Sequence, residues 1–171
     1  SYEYRSNVHL AGIAGLSASL MANEYELESM ILASDLIKKG DYYWPVPYTT
    51  NITSHFQKNR LHPITGEIRD HNGVDIAIQG VENKQAVSIT DGIVTFSGWI
   101  DGYGNVVEVM HENNLTTRYA HLNKFLVSKG DLVSGGDVVG LIGSTGNSTN
   151  PHLHFEALVD GTFINPLTLF E

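Results

Sequence analysis

His152-Leu153-His154-Phe155-Glu156-Ala157-Leu158-Val159, closed by Asp160-Gly161, alternates as a β-strand does and sets the architecture to expect. As a strand it sends successive side chains to opposite faces. His152 and His154 then look into one pocket, while Leu153 and Phe155 look the other way. Two imidazoles side by side repel when protonated, so a metal or a shared catalytic task would account for the pair. The plain alternative is two surface histidines.

The neighbouring segments carry the same short-strand pattern. Leu132 to Ile142 precedes it, Asn105 to His111 is apolar and β-branched, and Thr116 to His121 returns after the polar turn Glu112-Asn113-Asn114. Alternation in Thr117-Arg118-Tyr119-Ala120-His121 places Thr117, Tyr119 and His121 on one face. Ala86 to Ser97 alternates around Asp91-Gly92, a pair favoured in two-residue hairpins. The 17 glycines fall largely in this half, as many short strands joined by turns require. No helical periodicity of useful length follows residue 50. The expected fold is mainly β, a small antiparallel sheet or sandwich.

The N-terminal segment differs. Leu27, Met30, Ile31 and Ile37 recur at roughly helical spacing, Asn23 with Glu26 has the form of a capping box, and Lys38-Lys39-Gly40 supplies a positive last turn and a stop. A further helix between about His9 and Met21 is expected, weakened by Gly12 and Gly15. Pro45 and Pro47 forbid continuation, which divides the chain into an arm over residues 1–41 and a domain over 42–171. The chain starts at Ser1, as a processed form or an excised piece of a larger protein would.

A net charge of -9 removes general attraction to phosphate backbones, and no nucleic-acid partner is expected. The apolar run Leu10 to Ala22 is broken by Gly12, Gly15 and Ser17 and is too short for a membrane span. There is no cysteine, so a metal would be held by imidazole and carboxylate. Eight histidines are available. His71-Asn72-Gly73-Val74-Asp75 sets an imidazole and a carboxylate four residues apart on a loop running into a strand, a pattern that is weak alone. His62, before Pro63, reads as structural; His9, His55 and His111 read as incidental. A catalytic zinc takes three protein ligands and keeps a position open for water. Two histidines and one carboxylate meet that need, leaving one histidine of the HxH pair, together with His121, to move protons or steady a developing oxyanion.

Taken together, the words His71-Asn72-Gly73-Val74-Asp75-Ile76-Ala77, Asp91-Gly92-Ile93-Val94, Gly102-Tyr103-Gly104-Asn105, Tyr119-Ala120-His121-Leu122, Gly143 to Thr149 and Pro151 to Glu156 resemble the M23 metallopeptidases, the LytM or lysostaphin-type endopeptidases. They stand in that family's order, from about Trp44 to Leu169. The resemblance implies an antiparallel β domain with a groove over a zinc ion. It implies His71, Asp75 and His154 as ligands, and His121 with His152 as the catalytic pair, one or the other taking the proton from water. The substrate implied is a peptide of bacterial peptidoglycan, met outside the cytoplasm by a secreted, periplasmic, wall-bound or phage-tail protein. One departure stands out. The family's compact Phe-Gly-x-Arg-x-His-Pro word is replaced by Phe56-Gln57-Lys58-Asn59-Arg60-Leu61-His62-Pro63, which lacks the glycine and carries an extra residue.

Two other readings compete. A LytM-like domain without activity could bind or regulate another wall hydrolase, but such domains usually lose ligands, and none of the five site residues is missing. Two histidines and a carboxylate also form the facial triad of non-haem iron oxygenases, but that chemistry leaves His121 and His152 without tasks.

Overall fold

The computed structural model describes residues 35–62 and 65–171. Fourteen strands run through them. They are β1 (Lys38–Lys39), β2 (Tyr42–Tyr43), β3 (Ile52–Ser54), β4 (Gln57–Leu61), β5 (Ile68–His71), β6 (Gly73–Ile76) and β7 (Gln85–Val87). There follow β8 (Gly92–Ile100), β9 (Gly104–Met110), β10 (Leu115–Phe125), β11 (Leu132–Val133), β12 (Val138–Ile142), β13 (Leu153–Val159) and β14 (Thr162–Ile164). Every pairing is antiparallel. The main sheet runs β11-β8-β9-β10-β13-β6-β3, with β12 branching from β10 to β7 and β14 lying beside β13. β4 and β5 form a separate hairpin. The mainly β fold expected from alternation is present, and no helix among the described residues is long and apolar enough to cross a membrane.

One face of the sheet carries the core. Val94, Val109, Thr117, Tyr119, Phe155 and Ala157 are all fully buried or nearly so. Tyr119 carries its ring through this core so that its hydroxyl accepts from the Ile89 N–H at 3.2 Å, just beyond β7. At the margin, Trp44 packs edge-on against Phe170 of the C-terminal 3-10 turn and donates its indole N–H to the Thr49 carbonyl. Burying side chains of this size contributes roughly 1.5–3 kcal/mol each.

Three local expectations give way. The helices expected before residue 35 lie outside the described residues, but Lys38 and Lys39 are not a last helical turn. They are β1, paired with β2 through a two-residue turn, Lys39 opposite Tyr42. The Ile37 carbonyl accepts from Trp44 N–H, so this segment is tied to the domain edge across the 41/42 division. Nor is Asp91-Gly92 a hairpin turn. β7 pairs with β12, and β8 pairs with β9 and β11. Neither Asp91 nor Gly92 takes the positive φ that a type I′ turn requires. Asp91 instead uses its carboxylate to accept from Gly135 N–H at 2.8 Å.

The third is His121. Thr117 and Tyr119 face the core, but His121 does not share their face. It takes φ +60°, and the ladder to β9 slips between Tyr119 and Leu122. Here β10 changes partner, from β13 up to Ala120 to β12 from Leu122 onward. The bulge breaks the alternation and turns His121 to the polar face, as irregular ladder positions beside active sites commonly do.

Candidate metal centre

The polar face is built from β13 outward. His154 lies directly opposite Asp75 of β6 and Ala120 of β10, which places the two acceptors beside each other. His71 ends β5, and Asn72 and Gly73 carry the chain straight into β6. Gly73 faces Glu156 in that ladder, and a Cβ there would stand 2.4 Å from the Phe155 carbonyl oxygen and 3.0 Å from the His154 ring. The glycine in the HxGxD word is therefore a matter of space.

Asp75 Oδ1 lies 2.8 Å from His154 Nδ1 and 3.3 Å from His71 Nε2, and one donor atom from each of the three falls within 4.8 Å of the others. The outer nitrogens of both rings are spoken for. His71 Nδ1–H donates to the His55 carbonyl at 2.8 Å, and His154 Nε2–H donates to Glu156 Oε1 at 2.9 Å. A carbonyl can only accept, so the His71 proton is fixed on the outside and its Nε2 lone pair turns inward. Carboxylate-to-imidazole bonds of this kind orient metal-ligating histidines and raise their basicity.

Beside this trio stand the other two imidazoles. His121 and His152 have ring centroids 4.8 Å apart, and His152 Nε2 lies 3.6 Å from Asp75 Oδ1. Each again donates Nδ1–H to a backbone carbonyl, His121 to Thr145 at 2.7 Å and His152 to Asn150 at 2.8 Å. The loop supplying both carbonyls is pressed against residues 102–104. Gly146 approaches so closely that a Cβ on it would meet Gly104 N at 2.4 Å, and Thr145 Oγ1 donates to the Leu122 carbonyl. The structure thus brings His71, Asp75, His121, His152 and His154 together on one groove of about 560 Å³.

Electrostatics agree with a cation at the centre. Burial pushes the Asp75 carboxyl up, but hydrogen bonds from His154 and His71 outweigh it and hold the group well below the usual carboxylate range. Burial also lowers His154, yet its bonds to Asp75 and Glu156 carry it up to about 9. Burial dominates at His121, only partly opposed by the Thr145 carbonyl, and lowers it to about 4. A site that draws a proton onto an imidazole between two carboxylates offers the same lone pairs to a divalent ion. Two imidazoles and a carboxylate suit zinc, and the donor set fits it.

Three residues beyond those expected complete the centre. Glu156, only 1% exposed, accepts from His154, from Tyr103 OH at 2.9 Å and from Arg118 Nη1 at 2.8 Å. The alternation that pairs His152 with His154 also places Glu156 on their face, so this signal was present in the strand. Tyr103 and Arg118 join through long-range packing that no local spacing reveals. Among the other histidines, His62 accepts at Nδ1 from Thr65 N–H and lines the same groove. His55 contributes only its carbonyl to the site, and His9 lies outside the described residues. His111 is not incidental. It is buried, with Nδ1 against the Asp91 carbonyl and Nε2 against Thr117 Oγ1, both at 2.8 Å.

Comparison with known proteins gives the same picture. The model of peptidase family M23 matches residues 69–166, more than half the chain. The chain is 44% identical over 133 residues to DD-carboxypeptidase/endopeptidase Mpg of Neisseria meningitidis, covering 77% of this chain and 30% of that protein. It is 38% identical over 133 residues to peptidoglycan DD-endopeptidase ShyA of Vibrio cholerae, covering 78% and 30% respectively. Among solved structures, a zinc-containing peptidase from Vibrio cholerae matches with a TM-score of 0.67 at 37% identity, over 74% of this chain and 39% of that one. The chain spans less than half the length of these relatives. It belongs to peptidase family M23.

Proposed function

We propose that this chain is a zinc-dependent endopeptidase that hydrolyses peptide bonds of bacterial peptidoglycan outside the cytoplasm. One observation supports this above the rest: three inward-facing donor atoms, on His71, Asp75 and His154, share a groove with two further imidazoles whose outer nitrogens are fixed on carbonyls. The names of the relatives, a peptidoglycan DD-endopeptidase among them, supply the substrate class.

His71 Nε2, Asp75 Oδ1 and His154 Nδ1 would hold the ion. Zinc in such a site supplies Lewis acidity and lowers the pKa of water toward neutrality. The chain's own residues do the rest. With Nδ1–H committed to Asn150, a neutral His152 presents its Nε2 lone pair to the groove and can accept a proton from water there. His121 is poised in the same way beside it through Thr145. Once protonated, either Nε2–H can donate to the oxygen that gains charge or to the departing amine. Tyr103 is not available for that task, because its hydroxyl is engaged by Glu156.

Digesting purified peptidoglycans of different cross-bridge chemistry and identifying the new termini by mass spectrometry tests this reading. New amino termini in at least one wall type are expected. Intact walls throughout, with zinc bound, would leave a binding or regulatory domain in its place.

A further inference from the structure

The departure in the Phe56 to Pro63 word has a structural result. The extra residue enters β4 as a bulge, with Asn59 at φ +53° and the ladder to β5 slipping between Gln57 and Arg60. Asparagine tolerates that left-handed conformation better than other non-glycine residues. Its N–H is held by Asp70 Oδ1 at 2.8 Å, and Lys58 takes the other oxygen of Asp70 at 3.3 Å. Bulges re-aim the side chains that follow them. Here the residue that follows is Arg60, which lands directly opposite Arg69.

Both arginines line the groove. Like charges directly opposite each other cost stability, and this pair stands in a protein of net charge -9. The nearby cations outside the groove lining are matched by carboxylates, Arg118 by Glu156 and Glu108 and Lys58 by Asp70. Arg69 pairs with Glu67, but both side chains are mostly in solvent, where such pairs contribute little. Arg60 is partly buried and bonds to a hydroxyl, Ser54 Oγ at 2.7 Å, with no carboxylate against it among the described residues. The groove lining also includes the uncharged residues Tyr103, Asn147, Ser148 and Thr149.

We propose that Arg60, set by the Asn59 bulge opposite Arg69, receives a free carboxylate of the peptide substrate. This rests on the peptidase reading and specifies its substrate. Position follows from the strand. Arg69 and His71 lie on one face of β5 two residues apart, roughly 7 Å at 3.3–3.4 Å per residue. An extended peptide with its reacting carbonyl beside His71 therefore brings a group about two residues away to the arginines. A chain terminus and an acidic side chain both offer such a carboxylate, and guanidinium suits either through paired N–H donors.

The test is calorimetric binding to the zinc-loaded protein of two matched peptide pairs. One is N-acetylated Lys-D-Ala-D-Ala as acid and as C-terminal amide. The other is a stem tetrapeptide carrying D-Glu or D-isoglutamine. The acid member of one pair should bind roughly 10- to 100-fold more tightly than its amide, as a charge-assisted pair implies. The pair that shows the preference identifies the source of the carboxylate. In Arg60→Gln the ratio should fall to near one, and Arg60→Lys should keep an intermediate preference. Equal affinities for acid and amide in both pairs, or a preference that persists in Arg60→Gln, overturns the proposal. Wall digestion by the wild type is scored separately, so digestion with no carboxylate preference refutes this inference alone, whereas preference without digestion refutes the hydrolase reading alone.

Discussion

Replacing Glu156 by glutamine probes how the centre is held. The carboxylate is buried and receives three hydrogen bonds of 2.8–2.9 Å, from Tyr103, Arg118 and His154. Glutamine keeps the shape but not the charge, and its NH2 group must face either the Arg118 guanidinium or the His154 N–H, donor against donor. Glu108, at 3.4 Å, would then be the one carboxylate left to Arg118. A charge-assisted bond is worth about 1.5–3 kcal/mol and breaking a buried pair about 3–5. With the second arginine partner kept, the expected loss is roughly 2–4 kcal/mol, a fall in Tm on the order of 10 °C. His154 also loses the carboxylate that orients it, so zinc affinity should weaken about 10- to 100-fold. Competition with a chromophoric chelator reads the zinc constant, and a thermal melt of the metal-free protein reads the stability. A folded variant binding zinc within about twofold of wild type would refute the idea that Glu156 orients the ligand.

Three further expectations can be checked with simple variants. His121→Ala and His152→Ala should each keep bound zinc and lower kcat about 10²- to 10⁴-fold; near-normal turnover in either would remove that residue from proton transfer. Gly73→Ala forces a methyl against the Phe155 carbonyl and the His154 ring, so a loss of about 1–3 kcal/mol or more is expected by denaturant titration, and an unchanged midpoint would contradict the packing. Burial lowers His111 below its ordinary 6.5, against the opposing pull of the Asp91 carbonyl. Its contribution to stability is complete above that value, because below it the unfolded chain takes up a proton that the folded one refuses, and it is lost as pH falls toward the folded pKa. His111→Gln should therefore lose less stability than wild type between about pH 7 and 5, and parallel curves would deny the buried histidine this role.

What could be seen in the sequence follows physical range. The facing of His152 and His154 follows from strand alternation, a property of adjacent residues, and the structure keeps it. The closeness of His71 to Asp75 follows from a short connection through Gly73. His121 could not be placed by the same rule, because its orientation depends on a left-handed backbone where β10 exchanges β13 for β12. Asp91-Gly92 misleads for a related reason. The strands on either side of it pair elsewhere, β7 with β12 far along the chain and β8 with β9 and β11, rather than with each other. Lys38 and Lys39 show the same competition, since a positive helix end and a short edge strand share composition and only pairing with Tyr42 and Tyr43 decides between them. The links from Glu156 to Tyr103 and Arg118 span 53 and 38 residues, beyond the reach of any local pattern.

The most direct test strips the protein of metal, titrates zinc back, and follows new amino groups released from purified peptidoglycan. The account predicts no release from the stripped protein and a linear rise that levels off at one zinc per chain. Undiminished release without metal, or none at any zinc loading, would contradict it.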